Sequence, residues 1–143
     1  MGPRILDSVT LPENALLLLD SPPVIHYVED HPTLADRFEA LFDAQIKGRL
    51  RFAVTPITYV EVLTGPLRSG DEALAHRYRG ILESWQLVET TADIAESAAR
   101  LRVSHGLKLP DAIQAASALA INATALVTHD RDFSRLKALR VLS

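Results

Sequence analysis

The sequence contains no cysteine, and this absence excludes a disulfide framework, a thiolate metal site and a cysteine nucleophile. A reducing, cytoplasmic setting fits a chain without cysteine. Histidine is present, but His26, His31, His76 and His105 show no spacing typical of metal ligands. We therefore interpret these four as ordinary helix or loop residues.

A long uninterrupted hydrophobic run is also missing. The longest stretch without a charged residue, 112–129, is interrupted by Gln114, Ser117 and Asn122, so it predicts a helix, a turn and a strand instead of a membrane span. The N-terminus has no apolar core followed by a small-residue cleavage site. We expect neither export nor association with a membrane.

The chain has no excess of positive charge, since its formal net charge is −3. This balance argues against a purely electrostatic binder of nucleic acid. It does not exclude a metal-dependent nuclease. Four clustered carboxylates would account for −4 and leave +1 on the rest of the chain, and bound divalent cations would make the site positive.

What is present is apolar material for one core, since 48% of the 143 residues are hydrophobic. We predict a single domain over residues 15–143, preceded by an N-terminal extension, residues 1–14, without a clear period. Short apolar stretches alternate with helical patterns, which favours an α/β fold with a mainly parallel sheet. The predicted strands cover residues 16–19, 50–54, 86–89, 125–128 and 139–142.

Capping residues and prolines predict where several helices begin and end. Ser21 is expected to cap a helix whose first turn holds the following two prolines. Thr55 should open another helix, which the Gly-Pro pair at 65–66 should close. Pro110 is expected to begin the alanine-rich helix that follows it.

Four carboxylates are the candidate functional residues. Asp20 and Asp130 follow directly on predicted strands, and ligands of open α/β sheets bind beyond the carboxyl ends of the strands. Asp111 lies in the first turn of its helix, and Glu61 lies about two turns into another. Each acid alone also has an ordinary interpretation as a turn residue, a helix-dipole partner or a solvated helix residue. Their arrangement as a set is what indicates a site.

Four converging carboxylates without neighbouring Lys or Arg would repel one another, so proteins tolerate them mainly where cations share the space. Ligation by oxygen alone suits Mg²⁺ or Mn²⁺ better than zinc. The usual task of such a site is phosphoryl chemistry.

In chain order, four segments resemble the PIN-domain ribonucleases, and closely their VapC-like toxin branch: LLDSPPVIHYVE, TPITYVEVLTGPLR, AARLRVSHGLKLPDAIQAASAL and LVTHDRDF. The resemblance runs over about residues 16–133. It implies a three-layer α/β/α fold with a mainly parallel central sheet. The implied function is that of a toxin in a toxin–antitoxin pair, an endoribonuclease that uses Mg²⁺ or Mn²⁺. A small cognate antitoxin and a homodimer are the implied protein partners.

The resemblance also implies roles for the acids. Asp20, Asp111 and Asp130 would be metal ligands, and Glu61 would complete the cluster or orient water. Ser21 and Thr128 occupy hydroxyl positions of the family pattern, from which they can hydrogen-bond the carboxylates. His129 departs from the pattern, which commonly has asparagine there, and Asp132 is a fifth nearby acid without an assigned role.

Three alternatives remain open on the sequence alone. The first is a catalytically inert PIN-fold protein that acts as a scaffold through a protein partner. The second is an aspartyl-phosphate phosphatase, which is disfavoured because that chemistry wants a second Asp two residues after the first, where Pro22 stands. The third is a nuclease directed at DNA, since nothing in the sequence reads a 2′-hydroxyl.

Overall fold

A computed structural model describes residues 11–30, 32–130, 133 and 136–143, and the backbone alone over residues 32–37. Most of the predicted extension and Asp132 therefore lie outside the described residues. The division into an extension over residues 1–14 and a domain over residues 15–143 stays a prediction.

The centre of the fold is a five-stranded sheet in the order β3-β2-β1-β4-β5. All four strand pairs are parallel, and Leu17 of the central strand is aligned with Phe52 on one side and Ala125 on the other. The third and fifth strands are shorter than the predicted 86–89 and 139–142. The strands are β1 (Ala15–Leu19), β2 (Leu50–Val54), β3 (Gln86–Leu87), β4 (Ala125–Val127) and β5 (Val141–Leu142).

Six helices within the described residues connect these strands. They are α1 (Ser21–Val28), α2 (Pro32–Ile46), α3 (Pro56–Arg68), α4 (Glu72–Glu83), α5 (Ala92–His105) and α6 (Leu109–Ala120). In the part of the chain that the structure describes, none of them has the length and apolar character needed to cross a bilayer.

The leucines of β1 alternate between the two faces of the sheet, as the period of a strand requires. Leu17 and Leu19 pack in a core with side chains from α1 to α4, whereas Leu16 and Leu18 pack in a second core with α5 and α6. Helices thus cover both faces, which explains why β1 is apolar throughout. The predicted three-layer α/β/α architecture is confirmed.

Three predicted helix boundaries were wrong. The N-cap of α1 is Asp20, whose side chain accepts a hydrogen bond from the Ser21 amide, because the Ser21 side chain has another partner. Helix α3 continues through the Gly-Pro pair to Arg68. A proline near the end of a helix removes a single amide donor, and the ring of Pro66 is buried. Helix α6 begins one residue before Pro110.

Candidate active site

The carboxyl ends of β1, β2 and β4 meet at one edge of the sheet because these strands are parallel neighbours. Asp20, Thr55 and Thr128 are the residues that follow them, and all three are buried. Helix α3 begins at the same edge because it directly follows β2. Helix α6 also begins there, because it runs back across the sheet before β4. This edge therefore gathers acidic and hydroxyl side chains from five elements.

Asp20 is the innermost acid, with 5% of its surface exposed. Its Oδ2 accepts a hydrogen bond from Thr128 Oγ1 at 2.7 Å, and its Oδ1 accepts one from the Ser21 amide at 3.0 Å. Burial raises the pKa of Asp20, and the nearby charge of Glu61 adds to this, while its hydrogen-bond donors act in the opposite direction. The fold thus holds a carboxylate where an anion is costly.

Thr128 ties the end of β4 to this carboxylate. While its hydroxyl donates to Asp20, its Oγ1 accepts a hydrogen bond from the backbone amide of Asp130 at 2.9 Å. This local turn fixes the backbone of Asp130 at the mouth of the sheet. One buried hydroxyl therefore relates two of the predicted site residues.

Ser21 connects the first strand to Glu61. Its Oγ donates to Glu61 Oε1 at 2.7 Å across 40 residues of sequence. Glu61 itself is exposed on α3, so Ser21 holds one of its oxygens while the carboxylate faces solvent. The predicted hydrogen bonds from Ser21 and Thr128 to the acids are present.

Asp111 is half-buried in the first turn of α6. Its pKa is raised to about 6, first by burial, then by the negative charges of Asp20 and Asp130 and to a smaller degree by Glu61, against the opposing charge of Lys108. The charges of the other three predicted acids thus all reach Asp111. No three His, Cys, Asp or Glu side chains of the described residues stand close enough to form a preformed metal site.

The donor set nevertheless fits a hard divalent cation. Its ligating atoms are carboxylate oxygens, the ligands that Mg²⁺ and Mn²⁺ prefer. Burial and, to a smaller degree, the repulsion from neighbouring carboxylates raise the pKa of Asp20 and of Asp111. Added positive charge between these residues would relieve this repulsion.

The sequence analysis missed Gln114, treating it only as an interruption of an uncharged run. Its side chain is fully buried; its Oε1 accepts from Thr55 Oγ1 at 2.7 Å and its Nε2 donates to Thr58 Oγ1 at 3.2 Å. The same Nε2 lies 3.4 Å from Asp20 Oδ1. The available signal was a lone amide in an alanine-rich helix, one turn after Asp111.

His129, which stands where the family pattern commonly has asparagine, packs against aromatic rings of α1 and α2. Its ring stacks on Phe38 with centroids 4.6 Å apart and on His26 with centroids 5.0 Å apart. The position therefore joins the end of β4 to helices α1 and α2.

The parallel sheet with helices on both faces and acids at its carboxyl edge places the protein in the class of three-layer α/β/α proteins. A family profile described as PIN domain matches residues 17–139 of this chain. The chain belongs to the PIN domain family. The predicted resemblance to PIN-domain, VapC-like chains is confirmed.

Solved structures show the same fold. A toxin–antitoxin complex from Klebsiella pneumoniae contains a chain 26% identical to this one, with 89% of this chain and 96% of that chain covered and a TM-score of 0.71. VapBC2 from Rickettsia felis, bound to a DNA fragment from its promoter, matches at 20% identity, coverages of 88% and 96% and a TM-score of 0.72.

A third similar structure is VapC20 from Mycobacterium tuberculosis, a sarcin-ricin loop cleaving toxin. It is 17% identical, with 89% of this chain and 99% of that chain covered and a TM-score of 0.68. The similarity of the protein to VapC20 and to the Rickettsia chain is a similarity of fold. No curated relative matches the chain significantly.

Proposed function

We propose that this protein is the nuclease of a toxin–antitoxin pair, that it hydrolyses RNA phosphodiesters in the cytoplasm, and that it requires Mg²⁺ or Mn²⁺. The observation that carries the proposal is that acids from four elements lie at one edge of the sheet. Asp20 and Asp130 follow the neighbouring strands β1 and β4, Glu61 accepts a hydrogen bond from Ser21, and Asp111 lies in the first turn of α6. The charges of the other three acids act on Asp111. Membership of the PIN domain family and the likeness to a chain of a toxin–antitoxin complex support it.

The acids divide into two roles in this proposal. Asp20, Asp111 and Asp130 would hold the cation, which when bound supplies polarisation of a phosphate oxygen and of a water. Glu61 would complete the set or orient the attacking water, because Ser21 fixes one of its oxygens and leaves the carboxylate at the solvent side. Water attacks directly, so we expect a 5′-phosphate, a 3′-hydroxyl and no covalent enzyme intermediate.

Lys108 is the basic side chain that we propose to contact the phosphate backbone of the substrate. It is the N-cap residue of α6, its side chain is exposed, and its charge acts on Asp111. Arg51, by contrast, lies near the opposite end of its strand and donates to the Asn14 carbonyl at 3.1 Å. Arg102 donates to the Leu107 carbonyl.

A cognate antitoxin and a second copy of the chain are the proposed protein partners. Val60 and Leu67 lie seven residues apart on one face of α3 with 64% and 48% of their surfaces exposed. Exposed apolar side chains on a common helix face support a protein interface there.

A cleavage assay tests the function directly. The purified chain should cut single-stranded RNA with Mg²⁺ or Mn²⁺ and should be inactive in EDTA, whereas DNA of the same sequence should remain intact. Asp111→Asn should abolish cleavage, and Asp93→Asn, which changes an exposed acid in the first turn of α5, should not. Cleavage in EDTA or full activity of Asp111→Asn would overturn the assignment, and a chain that binds its antitoxin without cutting RNA would be an inert scaffold.

A further inference from the structure

Gln114 joins the two helices that carry Asp111 and Glu61. Asp111 and Gln114 are three residues apart on α6, and Thr58 and Glu61 are three residues apart on α3, so each pair shares a helix face. The 3.2 Å hydrogen bond from Gln114 Nε2 to Thr58 Oγ1 therefore connects α6 to α3, one turn after Asp111 on α6 and one turn before Glu61 on α3.

The amide of Gln114 is engaged at both ends. Thr55 Oγ1 donates to its Oε1, and its Nε2 reaches Thr58 and, at 3.4 Å, Asp20. We call Thr55, Thr58 and Gln114 the Gln114 network. All three side chains are fully buried, and hydrogen bonds in a dry interior are costly to break, so the amide is fixed in one orientation.

Stabilisation of the fold is not a sufficient explanation of this network. The other inward side chains along α6 are mostly alanine, which shows that an apolar residue can pack against this face. Thr55 already accepts the hydrogen bond of the Ile57 amide as the N-cap of α3, and it can do so without Gln114. What the amide adds is a fixed relation among Asp20, α3 and α6.

We propose that Gln114 is a positioning residue that, through Thr58 and Thr55, sets the spacing of Asp111 from Glu61 and orients Asp20 to receive a divalent cation. This rests on the cation requirement of the proposed function. Residues behind metal ligands orient them, and their replacement typically lowers metal affinity about 10-fold to 100-fold.

The test compares Mn²⁺ binding, measured by calorimetry without RNA, among matched variants. The double variant Gln114→Met with Thr58→Val replaces the pair by apolar groups of similar shape, so it should fold while its dissociation constant for Mn²⁺ rises about 10-fold or more. Thr58→Ser keeps the hydroxyl and should bind as the wild type does. Ser117→Ala is the control, because Ser117 is a buried polar residue of α6 that donates to the Ile113 carbonyl outside the network.

Unchanged Mn²⁺ affinity in the folded double variant would overturn the positioning role. If that variant does not fold, Thr58→Val against Thr58→Ser decides the same question, since equal affinities would overturn the role. A wild-type chain whose Mn²⁺ affinity depends on the network but that leaves RNA intact would refute the proposed function and keep the positioning role. A wild-type chain that binds no Mn²⁺ would refute both.

Discussion

Replacing Asp111 by asparagine should stabilise the protein while removing its activity. The pKa of Asp111 is about 6 in the folded state, against 3.8 for an ordinary solvent-exposed aspartate, so the native state binds the proton more tightly than the unfolded chain does. Stability is therefore lost as pH rises from about 4 to 6, and the full penalty is present at pH 7.

The size of the gain follows from this shift. Two pKa units correspond to nearly 3 kcal/mol, at about 1.4 kcal/mol per unit. Asp111 is half-buried, and solvent screens its repulsion from Asp20 and Asp130. The carboxylate also gains some stability from the helix N-terminus, which asparagine would lose in part. We therefore expect Asp111→Asn to raise the free energy of unfolding at pH 7 by about 1 kcal/mol, or the melting temperature by about 3 °C.

Urea unfolding in EDTA at pH 7.5 and at pH 4 measures this effect. The gain should be present at pH 7.5 and mostly lost at pH 4, where Asp111 is protonated in the folded wild type. Asp93→Asn is the matched control, because Asp93 occupies the first turn of α5 but is exposed, so it should lose a few tenths of a kcal/mol at most. With saturating Mg²⁺ the order should reverse, since the proposed site would bind the cation and so stabilise the wild type. Destabilisation of Asp111→Asn in EDTA at pH 7.5 would show that neither burial nor repulsion penalises the carboxylate at this position.

Three other substitutions separate stability from activity. Thr128→Val should cost about 2 kcal/mol in urea unfolding, because it leaves the buried Asp20 carboxylate without its 2.7 Å donor, and Thr128→Ser should restore most of it. Ser21→Ala should change the unfolding free energy by less than about 1 kcal/mol, since water can replace the hydroxyl at the exposed Glu61, yet it should slow RNA cleavage. Lys108→Ser should stabilise α6 by about 0.5 to 1 kcal/mol as a better N-cap, while it weakens RNA binding and lowers its salt dependence; unchanged salt dependence would exclude a phosphate contact.

The sheet and the strand ends were predictable because their signals are local. A run of leucines without polar interruption indicates a strand covered on both faces, and the acid that follows must then stand at the edge of the sheet. The same logic places Asp130 after β4. The parallel direction of the strands follows from the helical crossovers. The strand order was not predicted, because β1 pairs with β4, which lies near the other end of the sequence.

The contacts among the site residues were less accessible, because they join distant parts of the chain. Gln114 meets Thr58 across 56 residues and Asp20 across 94, and neither spacing leaves a local pattern. The cap of α1 shows the same limit. Both Asp20 and Ser21 are good cap residues, and the choice between them is made by Glu61, which takes the serine hydroxyl.

Asp20 has two functions in this fold. Its carboxylate lies at the acidic edge of the sheet, and it also caps the N-terminus of α1. A laboratory that wants a harmless version of the chain for overexpression or for capturing partners would damage the start of α1 by altering this residue. Among the described hydrogen bonds, the Asp111 side chain caps no helix. Asp111→Asn is therefore the better variant for crystallising the protein together with the molecules that it binds.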